Sequence, residues 1–308
     1  MIVALAGGVG AARFLEGLIR VVPQREITII GNVGDDTDVH GLHVSPDLDI
    51  VTYTLAGLVD PVKGWGIKGD TFHSQKLLQR YGYKTWFNIG DYDLATDLYR
   101  TEQMRRGKKL STVTANVVSR LGLHVTLLPS TDDLFQTYVL TGGSRMHFQE
   151  YMVKRQTKPK VRDVLFKGSD SARPSSHVIQ SMNEATGIIV CPSNPIVSIG
   201  AILAVKGIRE ALRKTKASIV GISPIVGGKT IKGPADKLMK SLGVEASALG
   251  VAEYYMDFLD VLIIDRVDAQ LAPDIRSLGI KPVVTQTLMR TMADKVHLAR
   301  KAMSEFRR

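Results

Sequence analysis

The chain has 308 residues, 44% of them apolar and 23% charged, with a formal net charge of +10. That is ordinary globular composition, long enough for one large domain or two modest ones. The lone cysteine, Cys191, excludes an intramolecular disulfide and a cysteine-cluster zinc site. No apolar run approaches the about 18 residues of a membrane span. The opening "MIVALA" is too short and lacks the basic flank of a signal peptide, so a cytoplasmic protein without a membrane partner is expected. The positive charge is spread along the chain, with small clusters at 105–109 and 306–308, and no nucleic-acid motif accompanies it. A solvated basic surface is the bland account; small anionic substrates are favoured over nucleic acid.

In chain order, "IVALA" (residues 2–6) is a short apolar run ending in Gly-Gly, as a buried strand would be. "AARFLEGLIRVV" then sets Phe14, Leu15, Leu18, Ile19 and Val22 at helical spacing, and "ITIIGN" is a second strand. Strand, glycine-rich turn, helix and strand open a parallel α/β sheet. Next comes "GNVGDDTDVHGLHVSPDLD", residues 31–49, which gathers Asp35, Asp36, Asp38, Asp47 and Asp49 in an otherwise basic chain. From about 60 to 180 the pattern becomes mainly helical, with "DTFHSQKLLQRYG", "DLATDLYRTEQMRRG" and "STVTANVVSRLG". "FQTYVLT" and "KVRDVLF" are strands whose partners the pattern leaves open. "TGIIVCPS", "ASIVGIS", "DVLIID" and "KPVVTQT" restore the buried-strand pattern. The expected architecture is α/β: one domain over 1–308, a Rossmann-like parallel sheet core, and a mainly helical insertion at 60–180 able to lid the site.

Three loops follow apolar strands, and in open α/β sheets such loops face one ligand crevice. The first, "GGVGAAR", sets Gly8, Val9 and Gly10 at a helix start, where small residues and free N–H groups suit a phosphate; a bare tight turn is the alternative. A dinucleotide fingerprint fails, because Arg13 stands where a third glycine is needed and Gly31-Asn32 where an acid is needed. The second, "CPSNPIVSIGAI", offers Pro192, Ser193, Asn194 and Ser198, with Ser198 a candidate helix N-cap and plain capping an equal reading. The third, "GISPIVGGKTIKGPADK", includes Ser223 and Pro224. Its "GGKT" lacks the first glycine of a P-loop, and Pro234 follows too soon, opening a helix to Leu242 instead. Ser223 with Lys229 or Lys232 beside a phosphate remains open, against a solvated lysine-rich turn.

"MIVALAGGVGAARFLEGL", "GNVGDD", "DLD", "GIKGDTF", "WFNIGDYDLAT", "CPSNPIVSIGAIL" and "SPIVGGKTIKGPA", in that order over nearly the whole chain, resemble the 2-phospho-L-lactate transferase family of deazaflavin coenzyme biosynthesis. The resemblance implies transfer of a phospholactyl group from lactyl-2-diphospho-5'-guanosine to the ribityl hydroxyl of the deazaflavin Fo. It also implies release of GMP, a Mg2+ requirement, a homodimer, and an insertion forming part of the acceptor site. It makes Asp49 the first candidate for the catalytic and metal centre, with Asp70 second for metal and Asp36 a weaker, substrate-side residue. Guanine falls by the same resemblance to residues 192–198 and Ser223-Pro224. At position 88 the family often carries a basic residue at the deazaflavin site, and here Asn88 stands, able to donate to a ring carbonyl without charge. Trp86 and Phe87 are candidates to stack on the ring, with core packing the stronger expectation for one of them. Nucleotide-sugar-binding regulatory proteins of the same fold share the glycine-rich start; "GIKGDTF" and "WFNIGDYDLAT" favour the transferase.

Overall fold

In the computed structural model, which describes residues 1–306, seven parallel strands form the central sheet. They are β1 (Ile2–Ala6), β2 (Ile27–Gly31), β3 (Thr126–Pro129), β4 (Gly187–Val190), β5 (Ser218–Ile222), β6 (Val261–Asp265) and β7 (Lys281–Thr285). Their order is β7-β6-β5-β4-β1-β2-β3, all parallel. Ile2 of β1 stands opposite Ile27 on one side and Gly187 on the other. The inner strands are buried along their whole length, which explains their unbroken apolar lettering: helices cover both faces, so no position is solvent-facing. The order reverses between β1 and β4, so the crevice opens outside the carboxyl ends of those two strands. The loops at Gly7–Gly10 and Cys191–Ser198 leave from those ends.

α1 (Gly8–Leu18) buries Ala11, Ala12, Phe14, Leu15 and Leu18. It packs against α2 (Pro46–Leu55) and the C-terminal helix Met292–Ser304. Residues 60–180 do not form one insertion. The helices α3 (His73–Arg80), α4 (Asp91–Arg105) and α5 (Leu110–Arg120) lie between β2 and β3. Thr126–Pro129 then returns to the sheet as its edge strand, a place that tolerates Pro129. "FQTYVLT" and "KVRDVLF" follow as a separate antiparallel sheet, Gln136–Thr141 lying between Arg145–His147 and Val161–Lys167. The expected "SIGAILAVKGIREALRK" helix is also divided. Its first part starts at Pro195, and a new helix, Ile208–Lys214, begins after Gly207 at φ 94°. The acidic stretch 31–49 carries a short hairpin, Thr37–Val39 with Leu42–Val44, and enters α2 at Pro46. One continuous buried cluster joins the sheet to its helices. No helix among the described residues is long and apolar enough to cross a membrane. Of the terminal basic cluster, Arg307 and Arg308 lie outside the described residues.

Candidate active site

The glycine turn and the loop after β4 are built against each other. A Cβ on Gly10 would stand 2.2 Å from the Pro192 carbonyl oxygen, so only hydrogen fits there. The Gly7 amide donates to Ser193 Oγ at 3.2 Å. Asn194, not Ser198, caps the following helix: its Oδ1 accepts from the Ile196 and Val197 amides at 3.0 and 3.3 Å. Pro195 at the first helical position makes that start favourable, which is why the helix opens earlier than expected. Ser198 is buried with its Cβ against Gly7. Gly8, Val9, Gly10, Pro192 and Asn194 remain partly open to the crevice.

Asn32, fully buried at the end of β2, ties three segments together. Its Nδ2 donates to Asp47 Oδ2 at 2.9 Å and to the Val197 carbonyl at 3.4 Å, and its Oδ1 accepts from the Gly34 amide at 2.8 Å. Asp47 therefore sits under the start of α1, near Gly7 and hydrogen-bonded by the Gly8 amide. Burial raises its pKa to about 7 against those hydrogen bonds. Asp36 accepts from His43 Nε2 at 2.9 Å and Ser45 Oγ at 2.8 Å, which closes the acidic hairpin. The second oxygens of Asp35 and Asp36 are buried without a partner among the described residues. Asp38 is exposed on the hairpin.

Asp49 is not a loop residue. It lies in the first turn of α2, where the helix N-terminus favours a carboxylate. On its far side Asp49 meets a cavity of about 120 Å3 whose walls include Tyr53, Trp65, Phe87, Asn88, Asp93 and Asp97. Asp49 binds the guanidinium of Arg100, which also holds Asp97 at 2.7 Å and the His43 carbonyl at 3.3 Å. One guanidinium thus faces two carboxylates. Burial and then the Asp49 charge push Asp97 to about 8 and Asp93 to about 6, and burial raises Asp49, partly offset by Arg100. Asp70 stands at the start of α4, accepting from the Thr71, Tyr92 and Asp93 amides at 2.8, 2.9 and 3.3 Å. The Asp49 and Asp70 charges both raise Asp93, whose amide donates to Asp70.

In the third loop, Ser223 is buried and closes its own turn with Ile225, while Pro224 is partly open. Gly227 and Gly228 have φ 58° and 75°, the two-residue hairpin turn between Ile225–Val226 and Lys229–Thr230, so "GGKT" belongs to a hairpin rather than a phosphate loop. Pro234 precedes the helix Ala235–Ser241, and Gly243 follows it at φ 73°.

The family model described as 2-phospho-L-lactate transferase CofD matches residues 2–300. The chain belongs to this family. It is 42% identical to a phosphoenolpyruvate transferase of Streptomyces coelicolor, covering 98% of this chain and 97% of that one. It is 39% identical to a 2-phospho-L-lactate transferase of Methanocaldococcus jannaschii, covering 97% and 96%. The same fold occurs in a UPF0052-family protein of Bacillus halodurans, at TM-score 0.65 and 14% identity, covering 98% of both chains.

For a transferase, the grouping divides into two halves. Gly8–Gly10, Pro192, Asn194 and Pro224 edge the crevice, and Asp49 and Asn88 line the cavity. Sequence reasoning passed over Trp65, Asp93, Asp97, Arg100 and Asn32. Asp93, Asp97 and Arg100 recur at 4 and 3 residues, one face of a helix, and that spacing was the available signal. No three His, Cys, Asp or Glu side chains among the described residues form a ready cage. Magnesium, however, needs only one or two carboxylates plus substrate oxygens. Asp49 Oδ1 is bound by Arg100 and Asp93 Oδ2 accepts from the Gly90 amide at 3.4 Å, whereas three amides hold the two Asp70 oxygens.

Proposed function

We propose that this transferase moves the 2-phospholactyl group from lactyl-2-diphospho-5'-guanosine to the ribityl hydroxyl of Fo, releasing GMP, in coenzyme F-420 biosynthesis. The observation that carries the reading is the first turn of α2. Asp47 faces the glycine turn and Asp49, two residues on, faces the cavity, so the two half-sites meet across one helical turn. On this reading the partly open residues Gly8–Gly10, Pro192, Asn194 and Pro224 receive the guanosine diphosphate, with Ser193, Ser198, Ser223 and Asp36 shaping the loops beneath it. Asp49 faces the acceptor hydroxyl, and Trp65, Phe87 and Asn88 receive the ring. The cavity is smaller than the about 300–1,000 Å3 that encloses a drug-sized ligand. It takes one end of a tricyclic ring and leaves the remainder across Trp65. Magnesium held by Asp49 with Asp93, flanked by Asp70, would neutralise the diphosphate charge there.

A phosphoenolpyruvyl donor is the second reading, favoured by the 42% identity to a phosphoenolpyruvate transferase. The deciding experiment incubates the protein with magnesium, Fo and each guanosine diphosphate donor, and weighs the products. A phospholactyl-Fo mass supports the first reading and a phosphoenolpyruvyl adduct the second. GMP without an Fo adduct, or no reaction, sinks both.

A further inference from the structure

Among the described residues, Arg13 and Lys232 form no ion pair with a carboxylate. Arg13, one turn beyond the glycine turn of α1, donates its guanidinium to the Met289 carbonyl after β7. Lys232, exposed in the loop after the Gly227-Gly228 hairpin, extends its ammonium to the Lys63 carbonyl at 3.3 Å. A Cβ on Gly64 would stand 3.5 Å from the same Nζ. Among the described residues each side chain is held by a backbone carbonyl and neither forms an ion pair. The two charges feel each other: partial burial, and then Arg13, hold the Lys232 ammonium below its ordinary range. Like charges kept together without a counter-ion favour an anion between them.

Their position says which anion. Arg13 extends from the helix whose N-terminus carries Gly8–Gly10. Lys63 and Gly64 lead directly into Trp65 and Gly66 of the cavity wall. Arg13 thus belongs to the helix of the glycine turn, and Lys232 is held by the segment that enters the cavity wall; a donor phosphorus that meets an acceptor hydroxyl has to lie between those two segments.

We propose that Arg13 and Lys232 form a dibasic clamp on the non-bridging oxygens of the donor's diphosphate; the inference rests on the transferase reading above. In the transfer, the acceptor oxygen forms a bond to the phosphorus bearing the three-carbon acid. The bond from that phosphorus to the bridging oxygen breaks, and GMP leaves with that oxygen and the electron pair. The hydroxyl proton passes to water. Charge builds on the bridging and non-bridging oxygens, and two fixed cations oppose it without rearrangement.

Calorimetric titration with GDP, GMP and guanosine tests the clamp without any turnover. Lys232→Met is expected to lose about 10- to 100-fold in GDP affinity, the range of a charge-assisted contact. Guanosine affinity stays unchanged, and Lys232→Arg keeps most of the GDP affinity. Arg13→Met behaves as Lys232→Met does. Unchanged GDP affinity in Lys232→Met overturns the clamp and leaves the donor site standing, as does an equal loss in Lys229→Met, which would mark general surface charge. Absence of GDP binding by the wild-type chain overturns the transferase reading and the clamp together.

Discussion

The guanidinium of Arg100, 3% exposed in α4, binds the carboxylate of Asp49 at the first turn of α2. The residue expected to carry the chemistry is therefore anchored by the helical segment that forms the opposite cavity wall. Asp49→Asn is expected to lower transfer by about 100- to 1,000-fold, the size of a transition-state interaction of about 3–4 kcal/mol. It also weakens a buried ion pair, so the melting temperature falls too. Arg100→Met leaves Asp49 and Asp97 buried without their counter-charge, costing about 3–5 kcal/mol of stability. Asp38→Asn, on the exposed hairpin, changes neither. Thermal melts and steady-state transfer to Fo on all three check this; wild-type activity in Asp49→Asn would sink the assignment.

Burial raises Asp47 to about 7 and Asp93 to about 6. Both folded values exceed the unfolded value of about 3.9, so the folded chain keeps protons that the unfolded chain has released. Stability from these groups is present at acid pH and is lost as pH rises from about 4 to about 7. The +10 net charge works against this at acid pH by adding repulsion, so the comparison between variants carries the test. Melting temperatures between about pH 5 and pH 8 should fall less steeply in Asp93→Asn than in wild type, and magnesium should flatten the wild-type slope. A steeper slope in Asp93→Asn contradicts the account.

The sheet was readable because parallel strands covered on both faces become unbroken runs such as "IVALA" and "VLIID". β3 was not: four residues at a sheet edge leave too short a run to separate from its helical surroundings. The acidic stretch 31–49 has the lettering of one loop, whereas Ser45-Pro46 already opens α2 and puts Asp49 in its first turn. The cavity wall was hidden for a different reason. α4 buries Asp97, Arg100, Thr101 and Gln103 and leaves Leu98 exposed, so its polar face points inward. Apolar periodicity finds cores, and an active-site wall made of charge inverts that signal.

The contact of Gly10 with the Pro192 carbonyl leaves no room for a methyl group. Gly10→Ala is expected to push the two donor loops apart, at about 1–3 kcal/mol of stability, the usual cost of overpacking. GDP affinity should fall more than affinity for Fo, since the cavity lies across α2. Calorimetry with each ligand separates the two; equal losses would mean that the half-sites respond as one unit.

Trp65 and Trp86 make opposite predictions for the acceptor. Trp65 lines the cavity, 37% exposed, with the Lys63 ammonium 5.8 Å from its ring centre. Trp86 packs edge-on against Phe87, with ring centres 5.7 Å apart, and is not part of the cavity lining. A ring entering beside Asn88 meets Trp65 first. These are the only two tryptophans, so each single Trp→Phe variant reports on the other. Titration of Fo into Trp86→Phe should quench most of the remaining emission, and titration into Trp65→Phe much less. Trp65→Ala should weaken Fo binding by about 5- to 150-fold, the range of about 1–3 kcal/mol for stacking a base on an aromatic side chain, with the melting temperature nearly unchanged because the side chain is partly exposed. Trp65→Phe, which keeps a ring face, should recover most of that loss. If Trp86 rather than Trp65 carries the quench, the ring enters from the Lys154 side, where that ammonium lies 5.8 Å from the Trp86 ring, and Asn88 rather than Trp65 becomes the residue to vary.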